Sequence, residues 1–212
     1  MKGSTHLTIG TVVGIGAALA YADSLPHAAL LITAASFSAL AADLDGPSLL
    51  SSRLSPLSRF LRYAVPTAGA LAVIGVLLYG VRYGFAPLPV FASVALLLAG
   101  LTAKEGFIRN SLVSAVGAGL LYLAWRASSL GLCGLGAFVV IAPWLKHRGM
   151  THTLWVLAAW TALGYQLELE WGYPGLMLAS GAGYFSHLAA DTLTPSGVKW
   201  FSPLLRKSFK LR

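Results

Sequence analysis

Gly183-Tyr184-Phe185-Ser186-His187-Leu188-Ala189-Ala190-Asp191-Thr192-Leu193-Thr194-Pro195-Ser196-Gly197-Val198 reads as the end of an apolar helix made of small residues, closed by a Thr-Pro-Ser-Gly turn. His187 and Asp191 are four residues apart, so on a helix they lie one turn apart on one face. An imidazole and a carboxylate in that relation offer converging nitrogen and oxygen donors to a divalent cation. Alone, the pair would serve equally as a hydrogen bond at a helix end. What separates the two readings is where the other polar residues of this apolar chain fall.

Hydrophobic residues make up 57% of the 212 and charged residues 10%, with a mean hydropathy of +0.73. Soluble domains carry roughly 25% charged residues. The composition therefore predicts an all-α integral membrane protein, a compact bundle forming one membrane-embedded domain over residues 1–212. A net charge of +8 reports orientation in such a protein, and no nucleic-acid partner is expected. Cys133, the single cysteine, cannot form an internal disulfide and is expected to pack.

Working outward, apolar runs cover about 6–22, 25–42, 63–79, 87–103, 107–125, 130–145, 153–167 and 173–193, eight hydrophobic segments. Several fall short of the roughly 20 residues that span a bilayer upright. Ala20-Tyr21-Ala22 looks like a signal-peptidase site, but the weakly charged leader argues against cleavage. Between the second and third runs, residues 48–62 place Leu50, Leu54, Leu57 and Leu61 at helical spacing, with serines and arginines elsewhere. That predicts an amphipathic interfacial segment, with Pro56 as its breaking point. The basic, aromatic tail 199–212 is expected to rest on anionic lipid.

Eight successive crossings bring particular residues to one membrane face. His6 opens the first crossing, Asp43 and Asp45 close the second, His147 and His152 flank the start of the seventh, and His187 and Asp191 close the eighth. His27 falls on the opposite side. Of the 15 lysines and arginines, thirteen share the His6 face and two, Arg82 and Arg126, do not. The positive-inside rule then makes the histidine face cytoplasmic, with both termini inside.

Four imidazoles and three carboxylates at one end of a bundle are the ligand set of a site with two or more metals. Desolvating them near lipid without a cation would be costly. The expected metal ligands are His6, Asp43, Asp45, His147, His152, His187 and Asp191. These residues also carry a resemblance. Thr5-His6, Asp43-Leu44-Asp45, the block from His147 through Thr153 and the block from Gly183 through Val198 resemble, in order, the motifs of the YdjM-like family of membrane-bound, metal-dependent hydrolases. That family is distantly similar to zinc-dependent phospholipases C and single-strand nucleases. The resemblance implies ligation by those His and Asp residues, with zinc as the expected metal. Residues 64–142 match only in being apolar. At Gly46 the family often has histidine, so one possible ligand is missing here.

Three functions remain open on the sequence. One is a metal-dependent hydrolase of a phosphoester, probing the headgroup level of a membrane lipid from the cytoplasmic face. In it, Asp43 or Asp45 would act as base and Arg148 would clamp a phosphate oxygen. Arg148 could equally be a positive-inside residue touching headgroups. The second is a metal or proton transporter, for which the far side supplies only His27, Asp23, Glu168 and Glu170. The third is a non-catalytic membrane protein stapled by metal, although a closed structural zinc needs only four ligands.

Overall fold

The computed structural model describes residues 1–205 and 207–211. Among them the chain forms eight long helices and one short one: α1 (Gly3–Tyr21), α2 (Leu25–Ala41), α3 (Leu49–Ser52), α4 (Ser55–Tyr83), α5 (Pro87–Thr102), α6 (Glu105–Ala127), α7 (Leu130–Ile141), α8 (Leu154–Trp171) and α9 (Leu176–Thr192). The all-α expectation holds, and the eight long helices coincide with the eight apolar runs. Four stretches are long and apolar enough to cross a membrane: Gly3–Tyr21, Leu25–Asp45, Ser55–Tyr83 and Glu105–Ala127. At 1.5 Å per residue, α5 and α7 reach only about 24 and 18 Å, short of a 30 Å hydrocarbon core. Large apolar side chains such as Leu19, Leu78, Val81, Phe91 and Trp125 face outward, as in a protein whose solvent is lipid.

Close packing divides the described chain into two units, residues 1–52 with 113–212, and residues 53–112. In the first unit, α1 lies against α2 through Gly10 and Gly14. A Cβ on Gly10 would stand 2.5 Å from the Ala39 Cβ, and one on Gly14 would stand 2.6 Å from the Ile32 Cα. α9 packs against α2 through Gly183, where an added Cβ would come within 2.4 Å of the Ala35 carbonyl oxygen. Such small-residue contacts let helix backbones approach where lipid removes the hydrophobic drive. α9 contributes to both buried clusters, one around Leu31, Ala35, Leu176 and Ala179, the other around Trp160, Tyr184, Leu188 and Val198. Because α9 also carries His187 and Asp191, the most tightly held helix is the one that presents them.

The second unit is built on the α4–α5 hairpin. Cβ atoms on Gly69 and Gly100 would stand 2.6 Å from the backbones of Leu97 and Pro66 respectively. Ser58 Oγ donates to the Glu105 carbonyl at 2.9 Å, and Arg62 pairs with Glu105 at 3.8 Å.

Two peripheral segments take definite shapes. The stretch 48–62 is divided in two next to Pro56. α3 ends at Ser52, and α4 runs unbroken from Ser55 into the apolar segment. Pro56 lies in the first turn of α4, where its missing N–H costs nothing, so the break falls just before it and a new helix starts there. Ser52, Arg59 and Arg62 are exposed and Leu50, Leu54 and Leu61 half-buried, whereas Ser51 and Ser58 are buried and Leu57 is exposed. The tail, apart from Arg206 and Arg212, which lie outside the described residues, folds back onto the protein. Val198 and Phe209 exchange backbone hydrogen bonds of 3.0 and 2.9 Å. Leu211 N–H donates to the Thr192 carbonyl, and Leu154 N–H to that of Trp200.

Candidate metal centre

Four chain segments meet at one end of the first unit. They are the first turn of α1, the 3-10 turn Ala42–Asp45 after α2, the loop 146–153 before α8, and the last turns of α9. Glycine and alanine at the helix contacts bring these ends within side-chain reach of one another. The structure brings together all seven of the residues named from sequence, and Arg148 with them.

The most compact group is Asp43, His152 and His187. His152 Nε2 lies 3.3 Å from His187 Nε2, and each of these nitrogens lies 3.6 Å from Asp43 Oδ1. Donors bound tetrahedrally at about 2.0–2.2 Å stand about 3.3–3.6 Å apart, so these separations match the edges of a zinc-sized tetrahedron. Asp191 Oδ2 is slightly farther, 3.8 Å from His152 Nε2 and 3.9 Å from His187 Nε2.

Tautomers strengthen the fit. His187 Nδ1 faces the Ala39 carbonyl oxygen at 2.7 Å. A carbonyl can only accept, so Nδ1 carries the hydrogen and Nε2 presents a lone pair to the cluster. Thr151 Oγ1 donates to Asp45 Oδ2 at 2.5 Å and meets His152 Nδ1 at 2.9 Å. Having given its proton to a carboxylate, the hydroxyl accepts from His152, so His152 also directs Nε2 inward. Two imidazole lone pairs at 3.3 Å need a cation between them or a proton on one. In the metal-free protein the proton goes to His152. Burial opposes its charge, but Asp43 and Asp45 outweigh burial and raise its pKa to about 9.

A second group comprises His6, His187 and Asp191. His6 Nε2 lies 3.3 Å from Asp191 Oδ1, and its ring stacks on that of His187 with centroids 3.9 Å apart. Nδ1 of His6 is buried with no hydrogen-bond partner, an expensive state for a polar atom. Asp191 therefore turns one oxygen to each group. Oδ1 also receives the amino-terminal amine at 3.0 Å, while Oδ2 pairs with Arg148 Nη2 at 3.1 Å.

The third group, Asp43, Asp45 and His147, lies at the rim. Asp45 is buried, and both its oxygens are engaged. Oδ1 meets His147 Nδ1 at 2.8 Å, and Oδ2 accepts from Thr151 Oγ1 and from the Arg148 backbone N–H at 2.9 Å. These bonds tie down the loop 147–152, in which Arg148 adopts a φ of 56°, unusual for a residue with a side chain. His147 is half exposed and leans over Gly46, where an added Cβ would stand 3.0 Å from its Nδ1. The imidazole from the loop thus fills the space beside the position where the family often has histidine.

Two contributors carried no role in the sequence reading. Thr151 orients His152, and the Tyr184 hydroxyl donates to the buried Thr151 carbonyl at 2.5 Å. Both fall within the two motif blocks, which were the available signal. His27 lies apart, between Asp23 (3.0 Å) and the Pro174 carbonyl (2.9 Å), and its hydrogen bond holds the exposed Asp23 carboxyl below its ordinary range. The other far-end acids cap helices. Glu168 accepts from the Met177 N–H, and Glu170 accepts from the Ser129 hydroxyl and the Gly131 N–H.

Fold and site together define an all-α membrane protein whose gathered helix ends present buried His and Asp groups able to hold a metal ion. The chain belongs to the YdjM inner membrane protein family, whose model matches residues 1–212. No curated protein and no solved structure matches it.

Proposed function

We propose that this protein is a metal-dependent hydrolase that cleaves a phosphoester of a membrane lipid at the cytoplasmic face of the inner membrane, using two or more divalent cations, zinc first among them. The observation that carries this reading is a cavity of about 410 Å³ opening over the cluster, lined among others by Asp43, His147, Arg148 and Asp191. A closed structural zinc would have no use for such an opening, because its four ligands leave no free position. A transport path has little support at the far end, where His27, Glu168 and Glu170 already serve as loop ties and helix caps.

Bound cations supply Lewis-acid activation of water and of the phosphoryl oxygens. The chain's own residues do the rest. Arg148, held in the cavity wall by its backbone bond to Asp45, presents a guanidinium to a phosphate oxygen. Of the two carboxylates considered as base, Asp43 lines the cavity, whereas Asp45 is buried with both oxygens occupied. Asp43 therefore accepts the proton of the attacking water, and Asp45 positions the loop that carries Arg148 and His152. α3 borders the same opening through Leu49 and Ser52, and a lipid substrate would require it to lie at headgroup depth.

The test is elemental analysis of the purified protein before and after chelation, with a turnover screen on phospholipids and generic phosphodiesters. His187→Ala should lower metal content and His27→Ala should not. Metal-loaded, folded protein that turns over none of these substrates would overturn the hydrolase reading and favour the metal staple.

A further inference from the structure

A second cavity, of about 510 Å³, adjoins the first and shares His147 and Arg148 with it. Its chemistry is different. Lys146 and Lys199 are the cations of its lining that have no carboxylate partner, Arg148 being paired with Asp191; Ser196, Ser202 and Ser208 line it as well, and no carboxylate is among the described residues lining it. Two like charges around one concavity favour the entry of an anion.

The cavity is built by the returning tail. Val198 and Phe209 bond backbone to backbone, and Ser208 Oγ donates to the Ser196 carbonyl at 2.8 Å. At the turn, Gly197 has a φ of 61°, and a Cβ there would stand 2.4 Å from the Phe209 carbonyl oxygen. Glycine alone lets the strand close at this spacing.

We infer that this cavity is an anion subsite, taking a second phosphate-type group of the substrate beside the one being cleaved. The word substrate rests on the hydrolase reading; the anion site itself does not. The substrate class this selects is a lipid or lipid-derived molecule with two neighbouring phosphates, such as a diphosphate or a phosphorylated headgroup, in preference to one with a neutral headgroup. Lysine ammonium groups and serine hydroxyls suit the several acceptor oxygens of a phosphate without requiring bidentate geometry.

The experiment uses the full chain in nanodiscs of zwitterionic phosphatidylcholine, stripped of metal with chelator and held at constant ionic strength. Inorganic pyrophosphate is titrated, with binding read by thermal shift and by 31P line broadening. Saturable binding is expected, weakened roughly tenfold by Lys199→Gln and further by Lys146→Gln/Lys199→Gln. His27→Ala, at the far end of the unit, should leave it unchanged. Both lysines are exposed, and circular dichroism checks that the variants fold. A parallel series in phosphatidylglycerol nanodiscs separates the sources of anion. If lipid charge alone occupies the cavity, pyrophosphate fails to bind in phosphatidylcholine, and the inference is overturned. Equal binding by wild type and the double variant overturns it as well. Intact pyrophosphate binding in a protein without turnover would sink the hydrolase reading and leave the anion subsite standing.

Discussion

Thr151→Val isolates the device that aims His152. The substitution is nearly isosteric in a fully buried position, so packing is preserved while the hydroxyl is lost. Two bonds go with it, the 2.5 Å donation to Asp45 and the 2.9 Å acceptance from His152 Nδ1. Asp45 keeps His147 and the Arg148 N–H, so its carboxylate stays partnered and loss of that bond should cost about 1.5–3 kcal/mol, with about 1–3 kcal/mol more for the buried His152 Nδ1–H left without an acceptor. His152 keeps no acceptor within hydrogen-bonding distance on Nδ1, since Asp45 Oδ2 is 3.6 Å away. Its ring is then free to turn or change tautomer. Loss of such a supporting bond lowers metal affinity about 10–100-fold, or about 1.4–2.7 kcal/mol. The assay is zinc competition against a chromophoric chelator, with helical circular dichroism as the folding control. Thr151→Ser should restore most of the affinity. A valine variant that binds zinc within twofold of wild type would show that Thr151 only fills space, and the tautomer argument would fall.

Zinc must displace the proton that His152 holds in the metal-free protein, so apparent affinity should rise about tenfold per pH unit between roughly 7 and 9 and then level off; calorimetry in buffers of differing ionisation enthalpy would detect the released proton. For this group the sign for stability of the metal-free protein is opposite: its contribution is full below about pH 6.5 and is lost as pH rises through about 9, which chemical denaturation across that range would check. Gly183→Ala puts a Cβ 2.4 Å from the Ala35 carbonyl oxygen, forcing α9 from α2 by about 1 Å at a cost of about 1–3 kcal/mol, and metal content should fall with Tm; unchanged values of both would contradict the close packing. A reporter fused after Arg212 should be active only in the cytoplasm, given the thirteen-to-two distribution of basic residues, and periplasmic activity would move the site to the outer face.

The sequence made the gathering of ligands legible because parity needs only the order of apolar runs, not their exact lengths. Four of those runs are long and apolar enough to span while α5 and α7 are short, yet His6, Asp43, His152 and His187 still meet. Roles within the cluster were less legible. Asp43 and Asp45 are equivalent on paper, and only the fold of 147–152 occupies one and leaves the other facing the cavity. Thr151 and Tyr184 act through bonds across 106 and 33 residues, beyond the reach of local periodicity. In the stretch 48–62 the break near Pro56 was legible, but the burial of Ser58, which donates to the Glu105 carbonyl from 47 residues away, was not. In the tail, charge was legible, whereas the backbone bridge between Val198 and Phe209 that carries the chain back to the protein was not.

The donors come from opposite extremes of the chain, and that sets the order of biogenesis. His6 enters the membrane with the first helix, whereas His187, whose ring stacks on it, is synthesised 181 residues later. At about 5–20 residues per second the interval is roughly 9–36 s. Throughout it the α1–α2 hairpin waits in the bilayer with His6 and Asp43 lacking their partners. Completion of α9 is therefore the event that closes the cluster, so a cation that needs both His6 and His187 can be held only once the last helix is in place.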